Sequence, residues 1–371
     1  FILMDDVDLS GRSWSQAVIP YFNGHFDGNG HVINHLRIDG DSHLGLFGHL
    51  GADATVRRLV LESVAVTGSG YYAGGMAGRN DGTILNASSS GSITRTDSYV
   101  GGLVGHNEGT ISESSSSGEV SGSRYVGGLV GYHRVGSVSN TYSTAQASGA
   151  SYIGGLIGFV NRGDVLHSYS IGAVSGEDHR GGLLGRNYSN NITNSFWDTQ
   201  TSGLATSAGG TGLGTPDMQD LNTYLDAGWD FVGETVNGPN NVWTIHGAEY
   251  PLLAWQVDAP SAPRIEGFEN GLAVMDWQLD GWPQWTVSSS ASRSGSHSAQ
   301  AGAIGDNEQT SLSITLDCQA GEVRFWCKTS CEVGYDFLEF HIDGQQEGQW
   351  SGSSAWQQIS IPVQAGVRTF T

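Results

Sequence analysis

Asp81 and Glu108 are the two acidic residues whose spacing best fits an acid–base reaction. They occupy matching turn positions in successive copies of an internal repeat. If each repeat is one turn of a coil, the carboxyl groups lie about 5 Å apart, as in retaining glycosidases. Turns favour acidic residues, however, and Arg134 and Arg162 fall near the same column. We therefore expect a ladder of charges at a corner, and no enzymatic activity.

Four tyrosines recur at one position of the repeat and form a second candidate site: Tyr72, Tyr99, Tyr125 and Tyr152. A flat row of aromatic rings is a platform for sugar rings, so the ligand would be a glycan or another cell-surface molecule. Identical aromatic side chains also stack simply because a coil superposes them, and such ladders stabilise the coil. Stacking alone accounts for the pattern, and ligand binding is the alternative.

Three acidic residues in expected loops near the C-terminus, Glu269, Asp306 and Asp336, are candidate ligands of a structural calcium ion. Calcium prefers hard oxygen ligands, which carboxylates supply. No other cofactor is expected. The segment Asp27-Gly28-Asn29-Gly30-His31 lacks the spaced carboxylates and distal glutamate of an EF-hand. It is better explained as a tight turn between strands.

The three cysteines, Cys318, Cys327 and Cys331, lie close together in the sequence. They allow one disulfide with one thiol left over, and the sequence does not decide the pairing. The second pair of ligands that a structural zinc site needs is absent.

Composition excludes several classes of function. The chain has 371 residues, of which 56 are glycine, and its formal charge is −21 with Lys328 as its single lysine. Such an acidic surface repels phosphate backbones, so nucleic acid is not an expected partner. No stretch approaches the roughly 20 apolar residues needed to span a bilayer. Few charged residues and many glycines favour an all-β fold with frequent turns.

An internal repeat determines the expected fold, and its period of about 27 residues lies in the range of solenoid proteins. Its most regular landmark is a glycine column: Gly75, Gly102, Gly128, Gly155 and Gly182. Apolar residues recur in step with it, in the columns Ile84, Ile111, Val138, Val165, Ile192 and Ile93, Val120, Ala147, Val174, and small residues recur at Ala87, Ser114, Thr141, Ser168, Ser195. Three short strands per repeat fit one coil of a right-handed parallel β-helix, or β-solenoid. The paired glycines are expected to permit close backbone approach and positive φ.

Two further regions follow the repeats. Thr215-Pro216-Asp217 predicts a helix that begins at an N-cap threonine and runs to about Asp226. With the aromatic-rich segment after it, the helix is expected to cover the last coil, over residues 197–256 approximately. Residues 1–256 would then form the solenoid with its cap, and residues 257–264 a linker. Alternating strands over residues 265–371 predict a β-sandwich similar to a jelly roll.

The repeats resemble the GLUG family, whose Gly-Leu-(Val/Ile)-Gly core stands at Gly102-Leu103-Val104-Gly105, Gly128-Leu129-Val130-Gly131 and Gly155-Leu156-Ile157-Gly158. The likeness covers residues 1–256 approximately. It implies a bacterial adhesin-like surface protein, or an accessory region beside the protease domain of an immunoglobulin A metallopeptidase. The family has no shared catalytic residues to transfer, and the zincin signature His-Glu-x-x-His is absent here.

These observations predict a non-catalytic extracellular or cell-surface protein of a bacterium, adhesin-like or a structural scaffold. Its expected partners are a glycan, a cell-surface ligand or further copies of itself in a filament. It is not expected to span a membrane within these residues. The alternatives are a carbohydrate-active enzyme, such as a polysaccharide lyase or glycoside hydrolase, and a carbohydrate-binding module on a β-helix.

Overall fold

The structure is a computed structural model of the full chain. It describes residues 1–371 except 190, 235, 246–248, 258–267, 269–271, 273–276, 294, 295, 307, 319, 320 and 365. The chain divides into two compact units. The first comprises residues 1–229 and 242–255, and the second comprises residues 230–241 and 256–371.

The first unit is a parallel β-solenoid of about seven turns. Its strands in chain order are β1 (Val7–Asp8), β2 (Ile19–Phe22), β3 (His25–Asp27), β4 (Val32–Asn34), β5 (Arg37–Gly40), β6 (Phe47–Leu50), β7 (Thr55–Gly68), β8 (Ala77–Asn80), β9 (Thr83–Thr94), β10 (Ser98–Gly101), β11 (Val104–Asn107), β12 (Thr110–Gly127), β13 (Val130–His133), β14 (Ser137–Ser143), β15 (Gln146–Gly154), β16 (Ile157–Val160), β17 (Asp164–Leu166), β18 (Tyr169–Ser170), β19 (Val174–Gly181), β20 (Leu184–Asn187), β21 (Ile192–Thr193), β22 (Phe196–Asp198) and β23 (Thr211–Leu213). Strands β2, β6, β8, β11, β13, β16 and β20 form one sheet, and the other sixteen form a larger one.

Equivalent residues of successive coils are hydrogen-bonded neighbours, as the repeat predicts. Val104 pairs with Val130, and Val130 pairs with Ile157, each in a parallel register. The amide of Gly102 donates to the carbonyl of Gly128 at 3.0 Å. Each repeat is therefore one turn of the coil, and the predicted all-β solenoid is confirmed.

The core runs along the axis of the coil and consists of the columns found in the sequence. The apolar columns are buried at Ile84, Ile111, Val138, Val165, Ile93, Val120, Ala147 and Val174. The small-residue column is buried at Ala87, Ser114, Thr141, Ser168 and Ser195. Stacking these side chains removes them from water, which a single coil cannot do.

A serine column explains the second glycine of each repeat. A β-carbon on Gly75, Gly102, Gly128 or Gly155 would come closer than 3.0 Å to a serine of the neighbouring strand. Two of those serines bond to a glycine carbonyl: Ser116 Oγ donates to Gly128 and Ser170 Oγ donates to Gly182, each at 2.7 Å. Close approach is thus confirmed. The expected positive φ is wrong for these glycines, because the left-handed conformation lies at the tyrosines that precede them.

The region after the last coil differs from the expected cap. Two short helices, α1 (Thr215–Met218) and α2 (Leu221–Leu225), replace the single helix predicted to run to Asp226. Gly214, not Thr215, is the N-cap residue of α1, and the side chain of Asp220 caps α2. Strands β24 (Trp243–Thr244) and β25 (Leu252–Leu253) follow, with a 3₁₀ turn at Ala254–Gln256.

The aromatic segment after the helices packs along the side of the solenoid. Tyr169 donates to the carbonyl of Pro251 at 2.5 Å, and Trp243 donates to Asn140 Oδ1 at 3.4 Å. Trp255 reaches further back and donates to the carbonyl of Glu113 at 2.7 Å. The edge of the last coil is covered by strand β23, which pairs with β22.

The second unit consists of antiparallel sheets. Its strands are β26 (Gln278–Gly281), β27 (Thr286–Ser288), β28 (Ser298–Gln300), β29 (Thr310–Cys318), β30 (Gly321–Cys327), β31 (Phe337–Ile342), β32 (Gln345–Ser351), β33 (Gln357–Val363) and β34 (Gly366–Phe370). Ile314, Phe370 and Val363 come from two different sheets and share one core. Cys327 and Cys331 are free thiols, and Cys318 Sγ lies 3.6 Å from the carbonyl of Leu316. Most of the expected linker, residues 258–264, lies outside the described residues.

Candidate functional site

The four predicted tyrosines form one column on the outside of the solenoid. Tyr72, Tyr99, Tyr125 and Tyr152 have φ angles of 64°, 66°, 54° and 60°, in the left-handed region. They are half-buried, and each precedes the glycine-rich segment of its coil. A non-glycine residue at such a φ is uncommon, so the side chain must offset the strain by its packing.

The tyrosine rings stack on one another. The ring centroids of Tyr99 and Tyr125 are 4.8 Å apart at 21°, and those of Tyr125 and Tyr152 are 5.0 Å apart at 11°. His179 continues the column, 4.8 Å from Tyr152. Because each ring face contacts the next ring, the column presents ring edges and hydroxyls to solvent, and the faces are not free to stack on sugars.

A second outward column lies beside the tyrosines and was missed by the sequence analysis. It runs through Arg79, His106, Tyr132, Phe159 and Arg186 on the parallel strands β8, β11, β13, β16 and β20. The rings of Tyr132 and Phe159 meet the tyrosine column edge to face, as between Tyr152 and Phe159 at 5.9 Å. The position of this second column recurs once in every repeat, which could have predicted it from the sequence. The residue type changes from coil to coil, however, so the repetition is hard to recognise.

Asp81 and Glu108 are brought together, but as members of an ion-pair network. Arg79 contacts both, with its Nε 2.8 Å from Asp81 and its Nη2 3.1 Å from Glu108. Arg134 binds Glu108 at 2.6 Å, and His49 binds Asp81 at 2.9 Å. The expected ladder of charges at the corner is therefore present for Asp81, Glu108 and Arg134. Arg162 lies one coil beyond Arg134, with its amide 3.0 Å from the Arg134 carbonyl, and forms no ion pair among the described residues.

The electrostatics around Asp81 favour its ionised form. Burial acts to raise the pKa of Asp81, but the hydrogen bonds from Arg79 and His49 outweigh it and hold the pKa below its ordinary value. A glycosidase acid must keep its proton near neutral pH, which requires the opposite shift. The geometry of Asp81 therefore supports a structural ion pair.

His106 lies between the network and the aromatic columns. It stacks on Tyr72 with centroids 5.1 Å apart, and its Nε2 is 3.8 Å from Glu108. Burial lowers the pKa of His106 to about 4, against the opposing effect of the nearby Glu108 carboxylate. The neutral imidazole thus serves as another ring of the stack at neutral pH.

Inside the solenoid, a polar ladder that the sequence analysis missed crosses three coils. Asn80 Nδ2 donates to Asn107 Oδ1 at 2.7 Å, and Asn107 Nδ2 lies 3.0 Å from His133 Nδ1. His133 Nε2 is 3.2 Å from the carbonyl of Asp164. All three side chains are fully buried, and each satisfies the next, as buried polar groups require. Asn80 and Asn107 occupy matching positions in successive repeats, and this recurrence could have predicted the ladder.

The candidate calcium ligands are not assembled in the part of the chain that the structure describes. Asp306 lies in an exposed turn, whereas Asp336 is half-buried and accepts the amide of Glu332 at 3.3 Å. Glu269 lies outside the described residues. No group of three or more potential ligands among the described residues is placed to hold a metal ion. A structural calcium ion stays a prediction.

The segment at Asp27 is a turn, as expected. Strand β3 ends at Asp27, and Asn29 has a φ of 54°, with its amide 2.9 Å from Asp27 Oδ1. Arg58 and Arg57 bind the same carboxylate, and the hydrogen bonds from Arg58 hold the pKa of Asp27 well below its ordinary value. The carboxylate is thus fully used within the fold.

The family model of the GLUG motif matches residues 96–121, a stretch of one coil that includes Tyr99 and most of β12. Halomucin from Haloquadratum walsbyi is 35% identical over 107 residues, which cover 25% of this chain and 1% of halomucin. A putative Gly-rich membrane protein from Evansella cellulosilytica is 36% identical over 76 residues, which cover 19% of this chain and 8% of that protein. No solved structure matches the chain significantly.

No helix in the described part of the chain combines the length and the apolar character that crossing a bilayer requires. The matched coil lies in the solenoid, and the chain spans a small fraction of the length of both relatives. The chain thus carries the GLUG motif as a turn of a parallel β-solenoid, and it is a distant relative of halomucin and of a Gly-rich membrane protein.

Proposed function

We propose that this chain is a non-catalytic structural segment of a long extracellular surface protein, in which the solenoid is a stiff spacer. The observation that carries the proposal is the unbroken coil-to-coil pairing. For example, Tyr132 pairs with His106 on one side and with Phe159 on the other. At about 4.8 Å per coil, seven turns give a rod of roughly 34 Å.

Four further features support a spacer. The rod has a core along its whole axis, so its coils stabilise one another in series. Strand β23 covers the edge of the last coil in the larger sheet, which limits edge-to-edge aggregation. The relatives are far longer than the matched region, which suits a segment within a long protein. The charge of −21 keeps such a surface soluble.

Spin-label distances test the stiffness of the rod. Arg37, Ala65, Ser92, Glu119 and Gln146 form one outward column, so cysteines at Arg37 and Gln146 are four coils apart. The three natural cysteines are first replaced by serine, so that spin labels attach only at positions 37 and 146. We expect a narrow distribution of the distance between the two labels, centred at about 19 Å after correction for the label tethers. A broad distribution would show that the coils flex independently and would contradict the spacer.

Antibody labelling tests the location. An antiserum against the purified chain should label intact source cells as strongly as permeabilised ones. Labelling that requires permeabilisation would rule out the surface assignment. Mass measurement across a range of concentrations tests the related idea that copies assemble into a filament, since a strict monomer at all concentrations would exclude it.

A further inference from the structure

Arg124 and Arg186 lie on the outside of the solenoid, and neither forms an ion pair with a carboxylate among the described residues. Several other arginines do, as Arg58 binds Asp27 and Arg134 binds Glu108. Within the described residues, the charged groups of Arg124 and Arg186 instead lie over tyrosine rings. On a chain with a net charge of −21, this is a local positive surface.

A continuous set of aromatic contacts connects the two arginines. The guanidinium carbon of Arg124 is 5.4 Å from the ring of Tyr152, and Tyr152 meets Phe159 at 5.9 Å. Phe159 meets Tyr188 at 5.2 Å, and Tyr188 lies 5.0 Å from Arg186. These five residues form one surface, named the Arg–Tyr surface. Cation–π contacts orient both guanidinium groups without consuming their charge.

The hydroxyls of this surface complement the guanidinium groups. Arg186 donates to the hydroxyl of Tyr188 at 3.0 Å, which leaves the hydroxyl proton of Tyr188 free to donate outward. Tyr188 is 60% exposed, and Arg124 is also exposed. The nearest acid along the column of Arg124 is Asp178, two coils further on and in the coil of Arg186, where its carboxylate contacts His179 at 2.5 Å. The surface therefore presents donors and positive charge to solvent.

We propose that the Arg–Tyr surface binds an anionic polysaccharide, whose carboxylate or sulfate groups are held by Arg124 and Arg186. A guanidinium fork matches such groups in a bidentate manner. A neutral glycan is not the fitting ligand, because the stacked ring faces of Tyr125 and Tyr152 are already occupied by each other. The anionic groups of an acidic polysaccharide alternate with hydroxyls, which suits two separated arginines and intervening hydroxyl donors.

Nucleic acid is the other class of polyanion that guanidinium groups bind, through its phosphates. Competition in the test below separates it from the polysaccharide. Nothing in this proposal depends on the spacer function, so each can fail without the other.

The proposal is tested by binding of the full chain to immobilised polygalacturonate, dextran sulfate and neutral dextran. The salt concentration is about 0.15 M, at which exposed charges still act at short range. We expect the two acidic polymers to bind and neutral dextran not to bind. Arg124→Gln and Arg186→Gln should each weaken binding by about tenfold, and the double variant by more. Arg37→Gln is the matched control, because it removes the same charge from an exposed position on another strand column.

Thermal unfolding of each variant shows whether the fold is intact. If Arg124→Gln fails to fold, Arg186→Gln alone tests the role of the arginines in binding. The proposal is overturned if the acidic polymers do not bind, if neutral dextran binds equally, or if Arg37→Gln weakens binding as much as Arg124→Gln. A single-stranded oligonucleotide is included as a competitor. If it binds as tightly as polygalacturonate and with the same dependence on Arg124 and Arg186, the polysaccharide is not the ligand.

Discussion

The side-chain amide nitrogen of Asn107 lies 3.0 Å from Nδ1 of His133, inside the solenoid and one coil away. Because Asn107 Oδ1 already accepts from Asn80, the amide nitrogen faces His133 as a donor. His133 Nδ1 must then accept, and Nε2 carries the proton toward the Asp164 carbonyl. A protonated Nδ1 would point its hydrogen at another donor, so the ladder requires a neutral histidine.

This relationship predicts acid sensitivity. Burial lowers the pKa of His133 to about 4 in the folded chain, whereas an unfolded histidine titrates near 6.5. The unfolded state therefore binds more protons between these values, so stability is complete above about pH 6.5 and falls as the pH decreases toward 4. We expect His133 to reduce the free energy of unfolding by about 2 kcal/mol between pH 7.5 and pH 5. Urea unfolding at the two pH values measures it.

His133→Asn is the informative variant, because asparagine at this position extends the ladder of Asn80 and Asn107 without a titrating group. Its loss of stability between pH 7.5 and pH 5 should be smaller than that of the original chain. His25→Asn removes an exposed histidine and is the composition control. An unchanged pH dependence in His133→Asn would show that the buried ladder is not the acid-sensitive element.

The sequence predicted the coil and its core because both depend on a repeat that every coil shares. The register follows from Gly75, Gly102 and Gly128 alone, since a coil aligns equivalent residues. The partners of Asp81 could not be predicted in the same way. Arg79 and His49 come from positions that do not repeat as the same residue type, so only the folded corner shows that they meet the carboxylate.

The contacts of the cap, like the partners of Asp81, could be predicted only in part from the sequence. The aromatic composition of residues 229–255 predicted packing on the solenoid, but the path of Trp255 back to Glu113 is set by tertiary contacts. A retrospective signal exists on the solenoid side. The outward column changes from Ser88 and Ser115 to Tyr142 and Tyr169, and Tyr169 contacts Trp243 of the cap. The tyrosines in this column could therefore have predicted where aromatic side chains of the cap pack.

The conformation of the tyrosine column predicts opposite effects of glycine at two neighbouring positions. At Tyr125, where φ is 54°, Tyr125→Gly should be more stable than Tyr125→Ala by about 1 kcal/mol, because alanine keeps the left-handed strain after the stacking is lost. At Tyr132, in strand β13, Tyr132→Gly should be less stable than Tyr132→Ala by about 0.5–1 kcal/mol. Denaturant unfolding of the four variants checks both signs. If the glycine and alanine variants had the same order of stability at both positions, the left-handed backbone of Tyr125 would not be strained.

The second glycine of each repeat should not tolerate a side chain. A β-carbon on Gly102 would lie 2.9 Å from Ser116 Cβ and would also overlap the Gly128 carbonyl. Gly102→Ala should therefore cost about 1–3 kcal/mol of unfolding free energy, although the φ there is ordinary. Gly321→Ala, where no atom lies within 4 Å of the added carbon, is the control. Equal stability of the two variants would exclude close approach as the reason for the glycine column.

Asp81 and Glu108 should behave as an ion-pair network in function as well as in structure. We expect no turnover of acidic or neutral glycans by the original chain, and none by the double variant Asp81→Asn/Glu108→Gln, because Arg79 and Arg134 hold both acids. A reducing-end assay over a glycan panel measures turnover. Activity in the original chain that the double variant abolishes would establish the pair as catalytic.

The side-packed aromatic segment should contribute strongly to the stability of the first unit. Trp243 is fully buried, contacts Tyr169 and Trp229 with centroids 6.0 Å and 4.6 Å away, and donates to Asn140. Trp243→Ala removes this packing and leaves a cavity, so we expect a loss of about 3–5 kcal/mol. Trp282→Ala is the matched control, because Trp282 is 78% exposed and its removal should change stability by no more than about 0.5 kcal/mol. Urea unfolding followed by circular dichroism distinguishes them. Comparable small losses in both variants would mean that the segment rests on the solenoid without stabilising it.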